Sequence, residues 1–129
     1  MSDAAKLGDR VVAIDTHIEM VPSPAGPVAT PLPNPFDGTL MQNLSQTVYA
    51  DGKQIATEGS VAMNGPPHLP NSGPFQRPPA DRGTVKSGAP TVKADGRPVA
   101  RHADPVDTCN DPADAPKGQI VAQSTVKVG

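Results

Sequence analysis

The stretch TVKADGRPVARHADPVDTC, residues 91–109, opens on a phrase that the chain uses three times. T-V-K-A-D-G (91–96) has a near copy in T-V-Y-A-D-G (47–52), and a shortened copy, T-V-K-V-G, stands at 125–129. Asp51-Gly52 and Asp95-Gly96 are signals for two-residue hairpin turns, because the type I′ turn needs positive φ at both central positions. Thr91–Ala94 and Arg97–Arg101 are therefore expected as the arms of one hairpin, with Thr47–Ala50 and Lys53–Ala56 as another. A further short run precedes each copy: Gly38-Thr39-Leu40, Gly83-Thr84-Val85 and Gly118-Gln119-Ile120. The recurring unit thus reads glycine, short strand, turn, short strand. In GDRVVAIDTHI (8–18), Val12, Ile14, Thr16 and Ile18 fall on one face of a strand, and Asp15 and His17 on the other. The chain is expected to be all-β, with one helical turn at most, over LMQNLSQ (40–46).

Composition sets the bounds around that pattern. The length suits one domain, residues 1–129. With 12 glycines, 17 prolines and 2% aromatic residues, the chain approaches the composition of a disordered one. A formal charge of only −2 separates it from that class, where scarce apolar residues usually accompany high net charge. The expectation is a folded, turn-rich β-protein with a thin core, in need of some stabilising device besides apolar burial. Near-neutral charge with no basic cluster argues against a nucleic-acid partner. No apolar run approaches membrane-spanning length, and MSDAAKLGDR lacks a secretory h-region. A single cysteine forms no internal disulfide, so synthesis in the cytoplasm is expected. Two proline-rich stretches, 22–35 and 66–79, cannot be central strands, since proline lacks the ladder donor. They read as exposed linkers of polyproline character.

The chain has three histidines, His17, His68 and His102, and one cysteine, Cys109. On count alone, solvated histidines and a small buried thiol account for these. Three observations favour a metal centre instead. Four N and S donors match a closed tetrahedral zinc site. A thin core calls for a staple, which structural zinc supplies. The short A-D-P-V-D-T connection between His102 and Cys109 contains a D-P turn signal. Ligand type favours zinc over iron without excluding iron.

The segment G-A-P-T-V-K-A-D-G-R-P-V-A-R (88–101) resembles the signature of the proline–alanine–alanine–arginine (PAAR) repeat proteins, which tip the spike of type VI secretion machines. Pro98-Val99-Ala100-Arg101 stands at the name-giving motif, with valine for its first alanine. The likeness runs from Gly83 to Cys109 and extends to the C-terminal GQIVAQSTVKVG. It is looser in the N-terminal half, where D-T-H and P-L-P-N are similar to a PAAR-like branch. The resemblance implies a small cone of short strands with threefold pseudo-symmetry and zinc near its apex, held by His17, His68, His102 and Cys109. It also implies a non-enzymatic tip that caps a trimeric β-helical spike (valine-glycine-repeat type) of a contractile injection machine. Such a tip crosses a target-cell membrane in transit and offers a tether for a separate effector. It would be a monomer in isolation, made in the bacterial cytoplasm and delivered outward. Because the sequence ends at Gly129 within the last repeat, no fused effector is expected.

Two rivals follow from the same residues. If His68 were not a ligand, an open zinc position would suit a small hydrolase, with Glu19 or Asp15 as base. A disordered proline-rich binding segment is the third reading.

Overall fold

Asp51 and Gly52 have φ of 50° and 77°, and Asp95 and Gly96 have φ of 53° and 79°, so both D-G pairs make the expected mirror-type turns. The computed structural model describes residues 1–129 and is built of strands without any helix. In chain order they are β1 (Ser2–Asp3), β2 (Arg10–Val21), β3 (Val28–Gln42), β4 (Tyr49–Ala50), β5 (Lys53–Gln54) and β6 (Val61–Asn64). There follow β7 (Arg82–Val85), β8 (Lys93–Ala94), β9 (Arg97–Pro98), β10 (Pro105–Thr108), β11 (Ala115–Val121) and β12 (Lys127–Val128). Six of these close into an antiparallel barrel in the order β10-β11-β2-β3-β6-β7. The other six pair off as β4-β5, β8-β9 and β1-β12.

The last pair explains the shortened third copy of the repeat. Its second arm comes from the other end of the chain: Ser2 pairs with Val128 and Asp3 with Lys127. The same cross-hairpin bond recurs in all three units, from Ile55 N to Val48 O, Val99 N to Val92 O, and Ala4 N to Val126 O, each 3.0 Å. Past these bonds the three arms meet at Ala5, Ala56 and Ala100, all fully buried. Their amides form a closed ring, Ala5 N to Ala100 O, Ala100 N to Ala56 O and Ala56 N to Ala5 O, at 2.8 to 2.9 Å. All three side chains are methyl groups, small enough to be fully buried where three backbones converge.

Each arm then passes through one tight turn into the barrel. The turns are Lys6-Leu7-Gly8-Asp9, Thr57-Glu58-Gly59-Ser60 and Arg101-His102-Ala103-Asp104, with φ of +90°, +90° and +70° at the third residue. In every case the fourth side chain accepts the amide of the first, at 2.7 to 2.9 Å. The barrel core contains Val11, Phe36, Leu40, Val85, Val106 and Ile120. A second cluster under the hairpins contains Ile55, Val99 and Val128. Both are made largely of small side chains, in keeping with the thin core expected from composition.

Two sequence expectations need correction. No helical turn forms over residues 40–46, because Leu40 to Gln42 continue β3 and pair with β6. The stretch 22–35 is not only linker either, since residues 28–35 pair with residues 14–21 of β2. Pro31, Pro33 and Pro35 stand opposite Ile18, Thr16 and Ile14. The Thr16, Ile18 and Met20 amides are turned away from β3, to Asn110, Asp111 and Pro74. Prolines at alternate positions therefore sit where the strand has no bond to donate, on an edge that β6 does not reach.

Candidate metal centre

β2 runs beyond the barrel, and along it the inward-facing side chains change from Val11 to Asp15, His17 and Glu19, all of them buried. The apolar alternation of the same strand faces outward there, with Ile14 59% exposed. A polar row turned inward is tolerable only if other groups satisfy it. Two segments do so in part, the proline-rich stretch 66–79 and the residues that follow β10, leaving Glu19 Oε2 and the His17 ring nitrogens without a partner. Glu19 Oε1 accepts the amides of Asn71, Ser72 and Gly73 at 2.8 to 3.1 Å. The Ser72 amide above all holds the Glu19 carboxyl below its ordinary value, against the effect of burial. Gly73 is required where that loop crosses β2, since a Cβ there would lie 2.0 Å from Met20 O. This clamp carries His68 over Asp15.

Asp15, His17, His68 and Cys109 each offer one donor atom, and these atoms all lie within 4.8 Å of one another. His68 Nε2 is 3.0 Å from Asp15 Oδ2, and Cys109 Sγ is 3.5 Å from the same oxygen. The other oxygen, Oδ1, accepts from Thr108 Oγ1 at 2.5 Å and Asn110 Nδ2 at 3.3 Å, which fixes the carboxylate plane. The His17 and His68 rings stand 5.0 Å apart, and Phe75 meets His17 edge-on at 5.9 Å. His17 is fully buried, yet neither of its ring nitrogens has a hydrogen-bond partner. An orphaned buried polar group costs on the order of 1–3 kcal/mol. A cation bound by the four donors would satisfy one of the two nitrogens.

The donor set fits a divalent ion. Two neutral imidazoles, a carboxylate and a thiolate would balance a 2+ charge in a buried site. In the metal-free chain, burial and then the Asp15 carboxylate push the Cys109 thiol up to about 12. A cation would therefore have to displace the thiol proton. Asp111 lies just outside the cluster, its Oδ2 3.5 Å from His17 Nδ1. Burial raises the Asp111 carboxyl, but the Ile18 amide and the Arg77 guanidinium outweigh it and hold the group below its ordinary value.

His17, His68 and Cys109 are thus brought together as the sequence suggests, and His102 is not. His102 occupies the second position of its tight turn, equivalent to the exposed Leu7 and Glu58, and is exposed as well. Its Nδ1 accepts the Ala122 amide at 3.1 Å, beside Asp3 and Arg10 at the rim of the hairpin layer. The A-D-P-V-D-T connection does not fold back on itself. Most of it is β10, an extended strand that carries Cys109 roughly 15 Å from the turn at about 3.3 Å per residue. Asp15 stands at the fourth position instead. The D-x-H spacing puts Asp15 and His17 on one strand face, and that was the available signal for it.

No family model matches the chain, and no curated protein matches it.

Proposed function

We propose that this chain is a structural spike tip of the PAAR-repeat kind, one that caps the end of a trimeric β-helical spike in a contractile injection machine. The observation that carries the reading is the ring of three equivalent hairpins around Ala5, Ala56 and Ala100. Each hairpin is a sheet of only two strands, so its outer strand has an unpaired edge. A trimeric β-helix ends in three such edges, and one chain satisfies all three only if it presents three matching strands. Val48, Val92 and Val126 recur at the same place in the three outer arms; Val48 is exposed and the other two are half-buried, which leaves apolar surface for a joint.

At the opposite end of β2, loops without regular strands converge on Asp15, His17, His68 and Cys109. We read this as the narrow end of a cone, with zinc, in preference to iron, locking the loops. Zinc would stiffen a point that has too few apolar contacts to order itself. The tip would be made in the cytoplasm and carried outward through a target membrane, with a separate effector tethered where one is present. Its role in this reading is mechanical, without catalysis.

The test is assembly with a trimeric spike from the same genome. Co-expression should yield a complex of one chain per three spike subunits. Val48→Asp combined with Val92→Asp should abolish that complex while leaving zinc content at one per chain. Failure of every co-encoded trimeric spike to bind the intact chain would refute the reading.

A further inference from the structure

Asp111 is the one carboxylate within 4.0 Å of a His17 ring nitrogen, and nothing in the donor cluster accounts for how rigidly it is held. Its amide donates to Thr16 O at 2.8 Å. Its Oδ2 accepts the Ile18 amide at 2.8 Å. Its Oδ1 accepts from Arg77 Nε and Nη2 at 3.1 and 2.7 Å, and the same Nη2 reaches Asn110 O at 3.0 Å. The Asp111 side chain is 4% exposed and Arg77's is 56%, so the pair spans from solvent to the site. A cavity of about 180 Å³ opens along this line, and its wall includes His17, Cys109, Arg77 and Asp111.

We propose that Asp111 is a positioning residue for the metal centre: its Oδ2 accepts a hydrogen bond from the Nδ1–H of His17, so that Nε2 is the nitrogen left for the ion. Arg77 anchors the carboxylate from the solvent side. The proposal rests on the metal reading of the site. Its physical basis is the asymmetry of a neutral imidazole, in which one nitrogen donates and the other accepts. A fixed carboxylate on one nitrogen selects the tautomer, orients the ring and raises the basicity of the other. Of the two histidines in the cluster, His68 meets Asp15, itself a donor, while neither His17 nitrogen has a hydrogen-bond partner and Asp111 is the carboxylate placed beside one of them. Loss of such an outer carboxylate typically weakens metal affinity 10–100-fold without changing the number of ions bound.

The experiment uses zinc ion alone, added to the metal-free full chain, with competition against a chromophoric chelator. Long-range nitrogen–proton NMR on the zinc-loaded parent should show the His17 proton on Nδ1. Asp111→Asn should lower zinc affinity 10–100-fold at an unchanged one ion per chain and give His17 mixed tautomer signals. Arg77→Gln should have a smaller effect in the same direction, and Asp111→Glu should recover part of the affinity. A zinc-loaded parent with the proton on His17 Nε2 would overturn the proposal without any variant. So would an Asp111→Asn chain that binds zinc as tightly as the parent and merely melts earlier, since that pattern belongs to a residue that only supports the fold. A parent that binds no zinc would instead overturn the metal centre itself, and this proposal with it.

Discussion

At the scale of single residues, the molecule separates His17, on the long strand β2, from His102, in a turn between a hairpin and the barrel. His17 is buried beside a carboxylate and a thiol with both nitrogens unmet, and His102 has its Nδ1 satisfied by a backbone amide at the surface. His17→Ala or Cys109→Ser should therefore abolish the single zinc, and the melting temperature of either variant should no longer rise when zinc is added. His102→Ala should keep one zinc per chain and change stability by about 1 kcal/mol or less, the worth of one partly exposed hydrogen bond. Elemental analysis paired with thermal melts decides between them. Zinc lost from His102→Ala and kept by His17→Ala would reverse the assignment.

Individual elements are joined by carboxylates at the hairpin turns. Asp95 accepts Ser45 Oγ at 2.7 Å and the Gln46 amide at 3.2 Å, and it bonds Thr47 Oγ1 as well. Asp51 does the same for Thr125 in the third unit. The turn aspartate of one repeat thus caps the T-V strand of another, so the D-G signal has an inter-unit role besides closing its own hairpin. The Thr47 hydroxyl first, then Ser45, holds the Asp95 carboxyl below its ordinary 3.8. Folding favours the ionised form, so the contribution is complete above about 3.8 and fades as pH falls through the lower folded value. Asp95→Ala should melt several degrees below the parent at pH 7, with the gap closing in strongly acidic buffer and zinc content at pH 7 unchanged. A gap that persisted undiminished at pH 2 would exclude the carboxylate as its cause.

For the molecule as a whole, stability is divided between two ends. The hairpin layer and barrel are held by backbone ladders and by two apolar clusters. The far end relies on polar contacts: the Glu19 clamp, the Asp15 hub and the Asp111–Arg77 pair. Removing zinc with a chelator should therefore lower the melting temperature and speed amide exchange in residues 66–79 and 109–114. The Ala5, Ala56 and Ala100 amides should stay protected, because their ring does not depend on the ion. Uniform loss of protection across the chain would show instead that the centre organises the whole fold.

Strand content, both D-G hairpins and the existence of three units could be read along the chain, because turn chemistry and period-two alternation are local. So could a share of the site: D-x-H places Asp15 and His17 on one face of any strand that contains them. Three things were settled only in three dimensions. The N-terminus supplies the missing arm of the third hairpin, a pairing across almost the full chain length that no local pattern encodes. The polar face of β2 turns inward, since what covers a face depends on which distant segments pack over it. His102 is left out and Asp15 brought in, because a ligand's distance from its partners is set by strand direction and not by the number of residues between them.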